Sequence, residues 1–245
     1  MSQDPSPIAP QLQSGDITWL DGDVPLSQAF DDPFYSKRDG RAEVEHVFLA
    51  GNGLPARWVG VEKFCIAELG FGTGLNFVET WRHWCTLRQS GQTLTYVSFE
   101  KFAMTAQQMQ RALAPWPELQ KQATRLVDVW AARKQDPGPW EMDEQTHLLV
   151  IPGDAQDTIK RFDAKADAWF LDGFSPAKNA EMWSAELMKE VAKHTKQDGT
   201  FATYTAAGWV RRNLVDAGFE VTKRPGHAGK RDMSVGTLKS GSKTA

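Results

Sequence analysis

Cysteine is almost absent: Cys65 and Cys85 are the only two in 245 residues. Neither belongs to a metal-ligand or redox spacing, so the chain is not a disulfide scaffold, a zinc module or a thiol oxidoreductase. Each lies inside an apolar segment and reads as a buried thiol. Long hydrophobic runs are also missing, and none approaches the roughly 20 residues needed to cross a bilayer. Met1-Ser2-Gln3-Asp4-Pro5-Ser6-Pro7 has neither the basic nor the apolar part of a secretory leader. These absences point to a cytoplasmic protein with no membrane contact. Repeats and heptads are absent as well. What remains, 41% hydrophobic and 24% charged residues, is ordinary for a globular chain with room for one domain and an extension.

There is no overall surplus of positive charge, since the net value is −3. Its distribution is uneven. From Ala207 onward, eight lysines and arginines stand against three acids, a local balance of +5 that leaves −8 for the rest. Arg211, Arg212, Lys230 and Arg231 are the core of this basic stretch. On an acidic body it is suited to meeting phosphates, although a solvated tail has the same composition.

Residues up to about Ser14 are polar and proline-rich, the composition of a mobile terminus. Ile17–Leu20 and Val24–Leu26 flank Asp21-Gly22-Asp23 and predict a hairpin. Phe30-Asp31-Asp32-Pro33-Phe34-Tyr35-Ser36 is an acidic-aromatic loop. Glu45–Ala50 and Arg57–Val59 read as further strand. Residues 1–60 are therefore expected to be an extension packed on a main domain at 61–245.

From Phe64 the pattern alternates. Strands are predicted at Phe64–Leu69, Leu94–Phe99, His147–Ile151, Ala168–Leu171 and Phe201–Thr205. Helices are predicted at Leu75–Leu87, after a Thr105–Gln108 capping box, at Glu118–Arg133, Ala155–Arg161, Ala185–His194 and Val210–Ala217. Phe219–Lys223 and Met233–Leu238 close as an antiparallel pair. Such alternation implies a mostly parallel seven-stranded sheet with right-handed crossovers, whose ligands lie at the carboxyl ends of the strands.

The first strand runs into Glu68-Leu69-Gly70-Phe71-Gly72-Thr73-Gly74-Leu75-Asn76. Gly70, Gly72 and Gly74 allow a tight turn with a ligand against the main chain. The helix that follows offers free N–H groups. The spacing is E-x-G-x-G-x-G rather than the dinucleotide G-x-G-x-x-G. In this it resembles S-adenosylmethionine (SAM) methyltransferases, in which Glu68 would answer the methionine ammonium. Glu100 ends the second strand, where a carboxylate can accept both ribose hydroxyls. Asp154 follows the third, positioned either to accept from an adenine amino group or to cap the next helix. The fourth leads into Leu171-Asp172-Gly173-Phe174-Ser175-Pro176. There Asp172 can hold an amine and Phe174 can stack on its ring, unless Asp172 only forms the turn.

Several stretches together are similar to the methyltransferase half of the MnmC-type tRNA modification proteins. They are Phe30-Asp31-Asp32, Glu68 to Phe77, Ser98-Phe99-Glu100-Lys101-Phe102, Trp169 to Asn179, Gly208 to Arg212 and Gly229-Lys230-Arg231-Asp232-Met233. The resemblance runs from about Asp16 to Leu238. It implies a class I SAM methyltransferase acting on the 5-aminomethyl group of wobble (2-thio)uridine in tRNA. It implies cofactor contacts from Glu68, Gly70, Phe71, Gly72, Thr73, Gly74, Asn76, Glu100, Lys101, Asp154, Ala155 and Asp172. On the substrate side are Asp31, Tyr35 and Lys178 with the four basic residues above. Bifunctional members carry an FAD-dependent oxidase half; this sequence shows no second Gly-rich loop, so no FAD is expected in it and the oxidase would be a separate partner. No metal is implied. Two rival readings are an aminopropyltransferase of the spermidine synthase kind, which needs acids to hold a free polyamine, and a non-catalytic tRNA-binding module on the same fold.

Overall fold

The computed structural model describes residues 13–36, 38–133, 138–229 and 231–239. Lys230 and the terminus before Gln13 lie outside them. The amino-terminal part holds four short strands. They are β1 (Gln13–Ser14), β2 (Ile17–Leu20), β3 (Val24–Ser27) and β4 (Asp32–Pro33). β2, β3 and β4 form an antiparallel sheet, with the expected hairpin at Asp21–Asp23.

The next stretch corrects the sequence reading. Glu45–Ala50 is not a strand: α1 (Gly40–Glu43) runs into a π-helical turn at Val44–Leu49 and a 3-10 turn at Ala50–Asn52. Asp39 caps it by accepting from the Ala42 N–H. Val44, Val47 and Phe48 recur at helical spacing and bury one face, a period that a six-residue window of β-branched and aromatic residues conceals. Arg57 and Trp58 likewise lie in a 3-10 turn, Ala56–Trp58.

The main sheet follows the predicted alternation. β5 (Lys63–Leu69), α2 (Leu75–Leu87) and β6 (Thr93–Glu100) come first, then a two-residue strand, β7 (Phe102–Ala103). β7 pairs in parallel with β1, so the backbone of Gln13–Ser14 is tied to the main domain. α3 (Ala106–Leu113) has the full capping box from Thr105 and Gln108. A 3-10 turn at Pro117–Leu119 precedes α4 (Gln120–Ala132). Then come β8 (Trp140–Asp143), β9 (Thr146–Pro152), α5 (Ala155–Thr158), β10 (Ala166–Leu171), α6 (Ala185–Lys193), β11 (Thr195–Thr203) and α7 (Gly208–Asp216). β12 (Phe219–Pro225) and β13 (Asp232–Leu238) are the closing pair.

The sheet has eight strands in the order β12-β13-β11-β10-β5-β6-β9-β8. The strand beyond the expected seven is β8, which pairs antiparallel to β9 at the edge. It is short and follows the Pro-Gly break, so nothing in its own pattern announced it. The five strands from β11 to β9 are parallel. The chain starts at β5, steps out through β6 to β9, and returns to β10 on the other side of β5. That reversal opens a crevice at the carboxyl ends of β5 and β10.

One face of the sheet packs Ile66, Tyr96, Leu148 and Phe170 against α2, α3, α4 and the amino-terminal helical turns. The other packs Ala67, Val97, Trp169 and Phe201 against α5, α6 and α7. The buried carboxylate of Glu79, on α2, fixes the amino-terminal segment. It pairs with Arg41 at 3.2 Å and Arg82 at 2.7 Å, and Arg41 also reaches Glu45. Glu45, Glu79 and His83 come close enough to hold a metal ion, but the two guanidinium groups already neutralise their charge. No helix among the described residues is long and apolar enough to cross a membrane.

Candidate functional site

β5, β6, β9 and β10 each end with a residue facing one cavity of about 400 Å³, within the range of small-molecule sites. The wall includes Gly70, Phe71, Gly72, Thr73, Asn76, Glu100, Lys101, Asp154, Ala155, Asp172 and Phe174. These residues, scattered over 105 positions of sequence, meet because parallel strands in register carry their ends to the same edge.

The glycine turn fits its place by necessity. Gly70 has φ +84°, and a Cβ there would come within 3.6 Å of the Gly173 Cα. Gly74 has φ +79°, and a Cβ would meet Leu126 at 2.7 Å. Gly74 therefore seats α2 against α4 instead of lining the cavity. As the N-cap of α2 it provides no side-chain cap, so the first turn of the helix keeps donors for a bound group.

Glu100 is held firmly. Its Oε2 accepts from the Gly72 N–H at 2.9 Å and its Oε1 from the Phe102 N–H at 2.6 Å. Burial raises its pKa, and those backbone donors pull in the opposite direction. The carboxylate thus joins the glycine loop to the end of β6 on the cavity wall. Asp154 caps the next helix, as its position allowed, and also forms an ion pair. Oδ1 accepts from the Gln156 N–H at 3.0 Å, capping α5, while Oδ2 pairs with Lys101 at 3.0 Å on the cavity wall.

Asp172 occupies the crevice itself. Its Oδ1 accepts from the Gly173 N–H at 2.8 Å and its Oδ2 from Asn76 Nδ2, also at 2.8 Å. The same Asn76 nitrogen donates to Glu68 Oε1 at 2.8 Å. Glu68 does not line the cavity: it is fully buried beneath the loop. Burial pushes its carboxyl well above the ordinary range, against hydrogen bonds from Asn76, Ser98 and Tyr96 that pull it down, and its place beneath the loop does not turn it to the cavity where an ammonium was expected.

The Phe174 ring is also not an open platform. Phe30 stacks on it at 4.7 Å between centroids, and Phe34 meets it edge-on at 5.1 Å. Its backbone is pinned, since Trp183 Nε1 donates to the Phe174 carbonyl at 3.0 Å.

The substrate-side candidates divide. Tyr35 lines the cavity, but its hydroxyl is turned to the Asp23 and Ala112 carbonyls at 3.1 and 3.0 Å. Asp31 points to solvent and pairs with Lys178, and neither lines the cavity. The adjacent Asp32 does line it, accepting from the Ser175 N–H at 2.8 Å. Arg211, Arg212 and Arg231 lie outside the wall, on α7 and the β12–β13 connection. Lys223 first, with Arg231 and Arg211, holds the Asp232 carboxylate below its usual range, so these cations gather in one place.

Among the wall residues that were not expected are Phe30, Asp32, Phe34, Glu43 and Tyr204. Tyr204 follows β11, and the strand-end rule applied once more would have found it. Its hydroxyl donates to the Gly173 carbonyl at 2.8 Å. Its pKa is raised well above the ordinary value by burial, then by Asp172, Asp32 and Glu43. Glu43 closes α1, a four-residue helix just before the segment read as strand, and carried no signal in the sequence.

A family profile described as S-adenosyl-L-methionine-dependent methyltransferase matches residues 117–239. The chain belongs to this family. Two curated relatives bear the name tRNA 5-methylaminomethyl-2-thiouridine biosynthesis bifunctional protein MnmC. The one from Marinomonas sp. (strain MWYL1) is 41% identical over 233 residues, and the one from Pseudomonas aeruginosa PAO1 is 42% identical over 232. They cover 94% and 92% of this chain, which spans 35% of the length of each. Among solved structures, MNMC2 from Aquifex aeolicus superposes with a TM-score of 0.73 at 23% identity. That match covers 95% of this chain and 73% of the other and shows a common fold.

SAM, the methyl donor of the family, suits this methyltransferase's cavity on structural grounds. Gly70, Gly72 and Gly74 all have positive φ, the α2 N-cap residue supplies no side-chain cap, and Glu100 is fixed by backbone donors on the cavity wall.

Proposed function

We propose that this methyltransferase transfers a methyl group from SAM to the primary amine of 5-aminomethyl-(2-thio)uridine at the wobble position of tRNA, in the cytoplasm. The observation that carries the reading is Asp172, a carboxylate fixed by Gly173 and Asn76 at the crevice, next to Phe174. The names of the relatives support the substrate. So does the acidic surround of Tyr204, with Asp32, Glu43 and Asp172, which suits an amine and repels an acid. In this reading Glu100 accepts the ribose hydroxyls, Asp154 with Lys101 borders the adenine, and the basic rim at Arg211, Arg212, Lys230 and Arg231 meets tRNA phosphates. The amine itself would come from an oxidase of the FAD-dependent kind.

SAM supplies an electrophilic methyl group on a sulfonium. The amine nitrogen must arrive neutral to attack it; the N–C bond forms as the C–S bond breaks, and the nitrogen carries positive charge until it loses a proton. Asp172 accepts one amine N–H, so the lone pair is aimed and the developing charge is stabilised. No covalent help from the protein is required.

The test is incubation with radiolabelled SAM and bulk tRNA from a strain lacking the modification, followed by nucleoside analysis. Label in 5-methylaminomethyl-(2-thio)uridine is expected. Unlabelled tRNA, with aminopropyl transfer from decarboxylated SAM to an added diamine in a parallel assay, would favour the aminopropyltransferase reading, and tRNA binding without either transfer would favour a non-catalytic module. Asp172→Ala is expected to lower turnover by between about 100- and 10,000-fold with SAM affinity little changed. Near wild-type turnover would remove Asp172 from the chemistry.

A further inference from the structure

The group that the reaction does not use, yet the fold buries in its centre, is Glu68. It is 0% exposed at the end of β5, in register with Ser98 of β6. Its Oε1 accepts from Asn76 Nδ2, whose other contact is Asp172 Oδ2, both at 2.8 Å. Its Oε2 is buried and has no partner at close hydrogen-bond geometry, but the buried hydroxyls of Tyr96 and Ser98 face the same carboxyl and can donate to it. The groups acting on the carboxyl are Asn76, Asp172, Ser98 and Tyr96, none of them a cation. Burial raises this carboxyl while hydrogen bonding from Asn76, Ser98 and Tyr96 opposes the rise, and the contact that leads on from it is the Asn76 carboxamide.

The carboxamide geometry follows from this arrangement. A planar NH₂ group has two protons. With one fixed on Glu68, the other is directed at Asp172, and the Asn76 plane cannot rotate away without unpairing a buried acceptor. We propose that Glu68 is a positioning residue: through Asn76 it sets the orientation of the Asp172 carboxylate toward the amine. The inference rests on Asp172 as the group that meets the amine. Glu68 does not line the cavity, and it takes part as a buried acceptor beneath the loop.

The experiment compares Glu68→Ala, Glu68→Gln, Asn76→Ala and the Glu68→Ala/Asn76→Ala double variant. Each is assayed with radiolabelled SAM and tRNA carrying 5-aminomethyluridine, and SAM affinity is measured by calorimetry. Glu68→Ala is expected to lower kcat about 100-fold, the scale of a misplaced reacting group, while SAM Kd moves less than about threefold. Glu68→Gln, which keeps an acceptor at Oε1, is expected to restore most of that loss. The double variant is expected to be no slower than Asn76→Ala, because both residues act on one path.

Multiplying losses in the double variant would overturn the proposal, as would failure of the Gln rescue in a folded protein. A SAM Kd that collapses in step with kcat would make Glu68 a support of the glycine loop instead. If Asp172→Ala itself retains turnover, the functional reading falls. If Asp172→Ala is inactive and Glu68→Ala is normal, only the positioning role falls.

Discussion

The Phe30 ring lies parallel to Phe174, with centroids 4.7 Å apart and planes at 24°. Thus the amino-terminal extension supplies one wall of the slot beside Asp172. Asp32, two residues on, is bound to the Ser175 N–H, and Lys178 bridges Asp31 and Asp32. The Phe30–Asp32 segment and the turn after β10 are therefore tied at both ends of the aromatic pair.

If that pair forms the walls of the base slot, Phe30→Ala removes a stacking surface worth about 1–3 kcal/mol. Apparent affinity for tRNA is expected to fall roughly 5- to 150-fold, with SAM Kd unchanged. Filter binding and calorimetry measure the two. Tighter tRNA binding in Phe30→Ala would instead mark Phe30 as a ring that must leave before the base enters.

Glu100→Ala removes a carboxylate held by two backbone donors at the cavity wall. SAM binding is expected to weaken by about 1.5–3 kcal/mol, the range for a hydrogen bond to a charged group, as read by calorimetry. An unaltered Kd in the folded variant would place the ribose contact elsewhere.

The basic rim predicts salt dependence. Contacts from Arg211, Arg212, Lys230 and Arg231 to phosphates release counterions, so tRNA affinity is expected to fall steeply as salt rises. Reversing all four to Glu is expected to flatten that slope and abolish tight tRNA binding while SAM still binds. A complex indifferent to salt and to the reversals would exclude this face.

Burial of Glu68 makes a pH prediction. Its folded pKa is raised above the unfolded value of about 4.3, with Asp172 from β10 and Tyr96 from β6 as the titratable groups facing it. The folded state then binds more protons than the unfolded state. The stability contributed by this group is fully present below about pH 4.3 and is lost as pH rises toward the folded value. Glu68→Gln lacks that loss. Its stability advantage over wild type is expected to grow with pH by up to about 1.4 kcal/mol per unit, as measured by urea denaturation from pH 4 to 8. An advantage independent of pH would mean that Glu68 is ionised in the fold.

Strand ends were legible in the sequence because a parallel sheet needs local apolar runs, and each run here stops at a polar residue: Glu68, Glu100, Asp154, Asp172. The glycine turn was legible because left-handed backbone at Gly70 and Gly74 leaves few other residues possible. Cofactor class followed from the resemblance of that E-x-G-x-G-x-G spacing to SAM methyltransferases.

What the tertiary structure decided was which way each group faces. Glu68 and Glu100 look equivalent in sequence, each an acid closing a strand. Only packing puts Glu68 under the loop as a fully buried acceptor and leaves Glu100 on the cavity wall, bound by backbone N–H groups. Asp31 and Asp32 are neighbours of identical chemistry, yet Asp31 has φ +47° and points to solvent while Asp32 reaches the site. Phe30, Phe34 and Glu43 enter from an extension whose helical turns were hidden in a short apolar window. Periodicity along the chain determines which elements form. Burial, charge state and the partners of a side chain depend on residues that can be 100 positions away, and those are set only when the elements pack.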